Sequence, residues 1–395
     1  MCRVLLLTIV LALASVMPAA AMSVSDVASL LRSDSCYKAQ VDYRVLMSLQ
    51  DDVAYSLSLE SLAAPHDTLA PCQYIVEWKA PDAPADASPS GFAAYADGHA
   101  YQYRGDRLIE YHFAENPMPF GVGRTGGVQR RAQFASMLPA FIADELVVNA
   151  GNPDWTFDIV TDTIIDGRHV VHLSGIMSRN GDVGREVFYT IDPSRGRLLS
   201  VRIESNPGAL AEQTILADYT YPYASPCATI DESVLRTRYT DQFATMRDSQ
   251  FAINSLVGRD MPQFALPTTT AERYAYHRGD GFRTTTIIVI ADPVSQFTPD
   301  AVAAIRGAVD LLPFNVDVVW AFTSNNVDDI EAVFPRPNPG EHLLMGATVL
   351  ARDCGAVLLP TLLFVSRDGR VAEIHQGFNN TLKEIVIEKA TAIGR

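Results

Sequence analysis

The stretch Thr286-Ile-Ile-Val-Ile-Ala-Asp-Pro-Val-Ser-Gln-Phe-Thr-Pro-Asp300 decides how the second half of this chain folds. Thr286 to Ala291 is a β-branched run without a polar break, as expected of a strand covered on both faces of a sheet. Asp292-Pro293 ends it, and Thr298-Pro299 opens a helix, because a Thr oxygen can cap free amides and Pro early in a helix loses no needed donor. In open α/β sheets such a strand-to-helix junction is where chemistry is placed, since the helix dipole favours anions and thiolates there. Here the junction holds Val294, Ser295, Gln296 and Phe297, with no thiol among them.

The chain has 395 residues, which suggests two domains, and its 48% hydrophobic content supplies enough apolar surface to exclude wholesale disorder. Arg3, the apolar run Val4 to Val16 and the small residues Ala19 to Ala21 read as a signal peptide over residues 1–21. That run is shorter than the roughly 20 residues of a spanning helix. The expected product is periplasmic or secreted, begins near Met22 and has no transmembrane segment after signal cleavage. The net charge of −15 argues against a nucleic-acid partner, which would need a basic patch to displace counterions. Cys36, Cys72, Cys227 and Cys354 remain after cleavage, in a compartment that permits disulfides. Cys36 and Cys72 each start a predicted strand and form the candidate disulfide; Cys227 and Cys354 read as isolated structural thiols.

Residues 22–228 read as an α+β domain. A short amphipathic helix over 24–32 precedes strands at 37–49, 53–62 and 73–79, the first two forming a hairpin across Gln50-Asp51-Asp52. Residues 91–95 and 100–104 face each other across Asp97-Gly98. Pro117 to Gly127 is loop, and Val128 to Val148 reads as helix with a kink at Pro139. Strands return at 156–161, 168–175, 186–192, 198–205 and 213–221, so short-turn connections favour one large, curved antiparallel sheet with helices over its concave side. This order, with the paired strands Asp166-Gly-Arg-His-Val-Val-His-Leu173 and Arg185-Glu-Val-Phe-Tyr-Thr-Ile-Asp192 and the closing Ala217-Asp-Tyr-Thr-Tyr221, resembles the LolA/LolB-like periplasmic carriers. The resemblance implies a half-barrel that holds apolar cargo, lipid or lipoprotein. The competing reading is a sheet that packs on its own helices. No metal or cofactor site is read from this half: His169 and His172, three apart on a strand, face opposite sides, and His99 and His112 are expected to have no ligand-like neighbours.

Residues 229–257 form a polar, weakly helical connector, and residues 258–395 an α/β domain. Strands at 264–266 and 274–277 precede the buried strand at 287–290, a helix at 299–312 and a parallel strand at 316–323. Short helices at 327–334 and 347–352, a hairpin of 361–366 with 370–376 across Asp368-Gly369, and a helix at 382–393 complete the order βαβαββα.

Gly258-Arg-Asp-Met-Pro-Gln-Phe-Ala-Leu266, the strand before Asp292, and Leu358-Leu-Pro-Thr-Leu-Leu-Phe-Val-Ser-Arg-Asp-Gly-Arg-Val371 resemble the TlpA/ResA-type extracytoplasmic thioredoxin-like proteins. The resemblance implies a cis bond at Leu359-Pro360, facing a redox Cys-x-x-Cys whose positions are held here by Val294 and Phe297. It leaves Cys354 as the only thiol of this region, without a resolving partner nearby in sequence. The reading that follows is a non-catalytic extracytoplasmic protein that binds a peptide or protein partner beside Val294, Ser295, Phe297, Leu359 and Pro360, and holds apolar cargo in its first half. It needs no cofactor. The alternatives are a thiol-disulfide oxidoreductase using Cys354 with a partner thiol, and a structural envelope protein.

Overall fold

The structure is a computed structural model and describes residues 22–84, 87–104, 107–113, 128, 132–165, 167–222, 228–334 and 336–394. The predicted signal segment and the loop at 117–127 lie outside them, as do Cys2 and Cys227.

Helix α1 (Val24–Leu31) starts in a capping box between Ser23 and Asp26. The strands that follow are β1 (Cys36–Met47), β2 (Val53–Ala63), β3 (Cys72–Lys79), β4 (Gly91–Ala96), β5 (His99–Arg104) and β6 (Arg107–His112), an antiparallel meander. Helix α2 (Pro139–Ala150) crosses to a second meander, β7 (Trp155–Ile165), β8 (Arg168–Arg179), β9 (Asp182–Asp192), β10 (Arg197–Ser205) and β11 (Gln213–Thr220). Pairing of β1 with β11 joins the two into one sheet, ordered β6-β5-β4-β3-β2-β1-β11-β10-β9-β8-β7. Strand alternation does the sorting: in β1, Tyr37, Ala39, Val41, Tyr43 and Val45 turn inward while Gln40, Asp42 and Arg44 are exposed.

The inner face is filled by the chain's own helices. Leu31, Phe141, Ile142 and Leu146 are buried against Val41, Leu57, Tyr74 and Val76. Of the predicted helix over 128–148, residues 129–131 lie outside the described residues; a 3-10 turn at Ala135–Met137 precedes α2, and Pro139 sits in its first turn rather than at a kink. Phe134, at φ +62, turns its ring onto Tyr43, Tyr55 and Trp78 instead of continuing a helix.

The expected Cys36–Cys72 bridge does not form. Cys36 is disulfide-bonded, but Cys72 is a buried cysteine outside that bridge. Register gives the reason: Cys36 faces Leu62 and Cys72 faces Ala63, so β2 lies between them. Two strand spacings of about 4.8 Å each exceed the ~7 Å that a disulfide spans between α-carbons.

Strand β4 is buried on both faces, because the outer side of this part of the sheet is covered by the connector. The connector is two helices, α3 (Glu232–Arg238) and α4 (Thr240–Asn254). Tyr239 stacks on Phe92 with ring centroids 3.7 Å apart, and Phe243 lies 5.3 Å from Tyr101. Arg238 bonds Glu60 at 2.7 Å and Glu77 at 3.0 Å, and the Tyr239 hydroxyl donates to Glu77 at 2.7 Å.

The far end of α4 joins another core. Ile253 is buried with Met261 and Cys354, and Gly355, at φ +69, ends α7 (Thr348–Cys354) where an added Cβ would lie 2.5 Å from the Ser249 carbonyl oxygen.

Beyond the connector, β12 (Phe264–Pro267) and β13 (Arg273–Tyr276) pair as a separate ribbon. The main sheet has the order β16-β15-β14-β17-β18, from β14 (Thr285–Ala291), β15 (Val316–Phe322), β16 (Glu341–Leu344), β17 (Thr361–Val365) and β18 (Val371–Gln376). β14, β15 and β16 run parallel, whereas β17 pairs antiparallel with both β14 and β18. Every residue of β14 is buried, as its unbroken β-branched run requires. Ile287 and Val289 meet α5 (Thr298–Val309) and α8 (Leu382–Gly394); Ile288 and Ile290 meet the Met261, Leu350 and Cys354 side. A short α6 (Val327–Val333) follows β15. The strand order, the helices on both faces and a cis Leu359–Pro360 bond before β17 make this part of the chain a thioredoxin-like fold.

Candidate functional site

The end of β14 and the start of α5 are tied together by Asp292. Its carbonyl accepts from the Ser295 amide at 3.2 Å and from the Thr298 hydroxyl at 2.6 Å, and its carboxylate accepts from the Val294 amide at 3.2 Å. Thr298 therefore does not cap the helix with its oxygen, as the sequence suggested. It is the first helical residue and donates backwards, while Phe297 occupies the cap position with no side-chain bond.

Of the residues singled out from sequence, Ser295, Phe297 and Leu359 come together. They line a cleft of about 200 Å³ with Phe378 on one side and Ile109 and Tyr111 of β6 on the other. Phe297 is half-buried, stacks on Phe378 with centroids 6.0 Å apart, and also packs against the core of the eleven-stranded sheet. Val294 and Pro360 do not line the cleft: Val294 is 70% exposed and Pro360 is buried, its carbonyl bonded to the Gly377 amide at 2.8 Å. The outermost strand of the large sheet thus abuts the helix start of the thioredoxin-like fold. No sequence pattern signalled this, because β6 is six residues long and its partner surface lies nearly two hundred residues downstream.

The cleft supplies little for covalent chemistry. The Ser295 hydroxyl faces the Phe297 amide at 3.4 Å. Cys354 lies elsewhere, fully buried behind β14, and burial, reinforced by the neighbouring Asp353 charge, pushes its thiol up to about 12. A thiol in that state is neither an exposed nor an ionised nucleophile.

A larger cleft, about 880 Å³, opens in the eleven-stranded sheet between α1, α2 and the ends of β1 to β3. Leu31, Tyr37, Ala140, Val147 and Val148 give it apolar walls, and the Arg32–Asp144 ion pair, 2.5 Å, sits at its side. Its size is in the range of small-molecule sites. The histidine reading needs one correction. His99 and His112 do have a ligand-like neighbour, for the β5–β6 register sets them opposite each other with Glu110 within 3.2 Å of both.

No family model matches the chain, and no curated protein matches it. Among solved structures, it is similar over 35% of its length to 96% of a candidate thiol:disulfide interchange protein DsbE from Chlorobium tepidum, at 16% identity and a TM-score of 0.31. A secreted Mycobacterium tuberculosis disulfide oxidoreductase aligns over 33% of this chain and 96% of its own, at 16% identity and a TM-score of 0.28. For a SCO1/SenC family lipoprotein from Bacillus anthracis the shares are 35% and 96%, with 13% identity and a TM-score of 0.30. Among the described residues, no helix is long and apolar enough to cross a membrane.

Proposed function

We propose that the chain is a non-catalytic extracytoplasmic binding protein of two domains, 22–228 and 258–395, joined by the connector at 229–257. The second domain is a redox-inactive thioredoxin-like module that receives one apolar side chain of a peptide or protein partner in the cleft between Phe297 and β6. The first is a carrier-like domain that holds an apolar molecule, lipid or lipoprotein acyl chain, in the 880 Å³ cleft. The observation that carries the reading is Phe297. It is a half-buried ring stacked on Phe378, at one of the two positions, with Val294 at the other, where the TlpA/ResA-type resemblance implies a thiol. The opposing reading, an oxidoreductase working through Cys354, requires a thiolate at a site where burial disfavours one.

Two measurements on the full chain test this. Native mass spectrometry after detergent-free purification should show a bound apolar adduct that Ala140→Trp, filling the larger cleft, removes. Insulin reduction should be absent with the natural protein and with Cys354→Ser alike. Turnover that the serine variant abolishes would establish the oxidoreductase instead, and an adduct-free protein would leave the first domain as a scaffold.

A further inference from the structure

We infer that the β5–β6 hairpin carries a binding site for a divalent transition-metal ion, with His99, Glu110 and His112 as its ligands. The site does not depend on the functional reading above. Register builds it: His99 pairs with His112 and Tyr101 with Glu110, so these four side chains project from one face of the two strands. Glu110 Oε1 lies 3.2 Å from His99 Nδ1 and 3.2 Å from His112 Nε2. All three ligand atoms fall within 4.8 Å of one another, and the two imidazole rings are 4.2 Å apart.

Those separations suit a shared ion. Zinc-type bonds of about 2.0–2.2 Å arranged tetrahedrally put neighbouring ligand atoms about 3.3 Å apart. Without a cation, three polar groups converge on a single carboxylate oxygen, because the Tyr101 hydroxyl also donates to Glu110 Oε1, at 3.0 Å. A metal at the centre accepts the imidazole lone pairs directly, and the tyrosine then acts from behind the carboxylate to fix its orientation. Tyr101 is well placed for that role, being buried with its ring against Phe243.

The ligand set also selects the ion. Two imidazoles and one carboxylate suit Zn²⁺, Cu²⁺, Ni²⁺ or Fe²⁺, whereas Ca²⁺ and Mg²⁺ prefer all-oxygen sites. Three protein ligands leave a coordination position open. The histidine side chains are 36% and 38% exposed and Glu110 is 14% exposed, so the ion has a path from solvent to a partly desolvated carboxylate.

The test uses the full chain without an affinity tag, stripped with chelator and titrated with Zn²⁺ by calorimetry. Saturable binding at one equivalent is expected, with a raised melting temperature and no competition from Ca²⁺. His99→Ala and His112→Ala should each abolish the saturable phase, and Tyr101→Phe should weaken binding about 10-fold. Far-UV circular dichroism of each variant separates lost ligation from lost folding. The inference is overturned if the natural chain shows no saturable Zn²⁺ binding, or if the folded His99→Ala/His112→Ala double variant binds as the natural chain does.

Discussion

At the scale of single residues, the polar groups of both cores respond to alkali in one direction. Burial, with a smaller push from Tyr55, raises the Tyr43 phenol to about 12, and burial drives Tyr37, Tyr74 and Tyr219 well above the ordinary phenol value. Cys354 moves the same way, to about 12. A folded-state value raised above the unfolded one, about 10 for tyrosine and about 8.5 for cysteine, means the unfolded chain releases protons first as pH rises. The stability these groups contribute is therefore complete below those values and is lost as pH climbs toward 12. The urea midpoint should fall steeply between about pH 9 and pH 11. A step in tyrosinate absorbance at 295 nm should accompany the loss of ellipticity, as the buried phenols are released. Tyrosinate absorbance that reaches its full unfolded amplitude while the sheet signal persists would show that these phenols are not buried. Where the sequence named site residues, it did so by position relative to β14: Ser295, Phe297 and Leu359 do share a cleft. It could not name Ile109 and Tyr111, whose place beside Phe297 comes from packing between distant segments.

At the scale of elements, the connector is more than a tether. Burial pulls the Glu60 carboxyl up, but Arg238 and Lys38 together outweigh it and hold the group below the usual carboxylate range. That contribution is present above the unfolded value near about 4.3 and is lost as pH falls through the folded one. Replacing Arg238 by alanine leaves Glu60 with Lys38 and Glu77 with the Tyr239 hydroxyl, both poorly compensated. The expected cost at pH 7 is about 1–3 kcal/mol, shrinking as pH approaches 4. Urea titrations at the two pH values would show it, and amide exchange should speed up across α3 and α4 in particular. An unchanged midpoint would mean that the aromatic stack on Phe92 alone seats the connector. Most strands were legible because alternation is strong where one face is buried, and β1 to β5 and β7 to β11 begin within a few residues of the patterns that foretold them. β6 and β16 were not, since Arg-Leu-Ile-Glu-Tyr-His and Glu-His-Leu-Leu are too short to show a period. The missing β6 also concealed the histidine pair, because His99 and His112 meet only once that strand is registered against β5.

At the scale of the whole molecule, the thioredoxin-like part was read from local pattern, but its relation to the large sheet was not, because an edge strand carries no sequence mark of what will cover it. That relation yields a decisive experiment. If the start of α5 retains thioredoxin geometry, Val294→Cys combined with Phe297→Cys places two thiols three residues apart in the turn that leads into a helix N-terminus, where the dipole lowers a thiol's pKa below its usual ~8.5. The pair should close to an intramolecular disulfide in oxidised glutathione, giving up two electrons and two protons as the glutathione disulfide is reduced to two thiols. Reactivity should then divide by substrate size. Small disulfides should reach position 294, which is 70% exposed in the natural chain, while insulin should be reduced slowly because Ile109 and Tyr111 flank position 297. Titration of thiolate absorbance at 240 nm and paired rate measurements with both substrates would read these outcomes. Ordinary thiol pKa values with no ring closure would show that the junction lacks the geometry as well as the cysteines. Equal rates on both substrates would show that β6 swings clear of the cleft in solution, so that the abutment of sheet edge and helix start leaves the groove accessible to a protein chain.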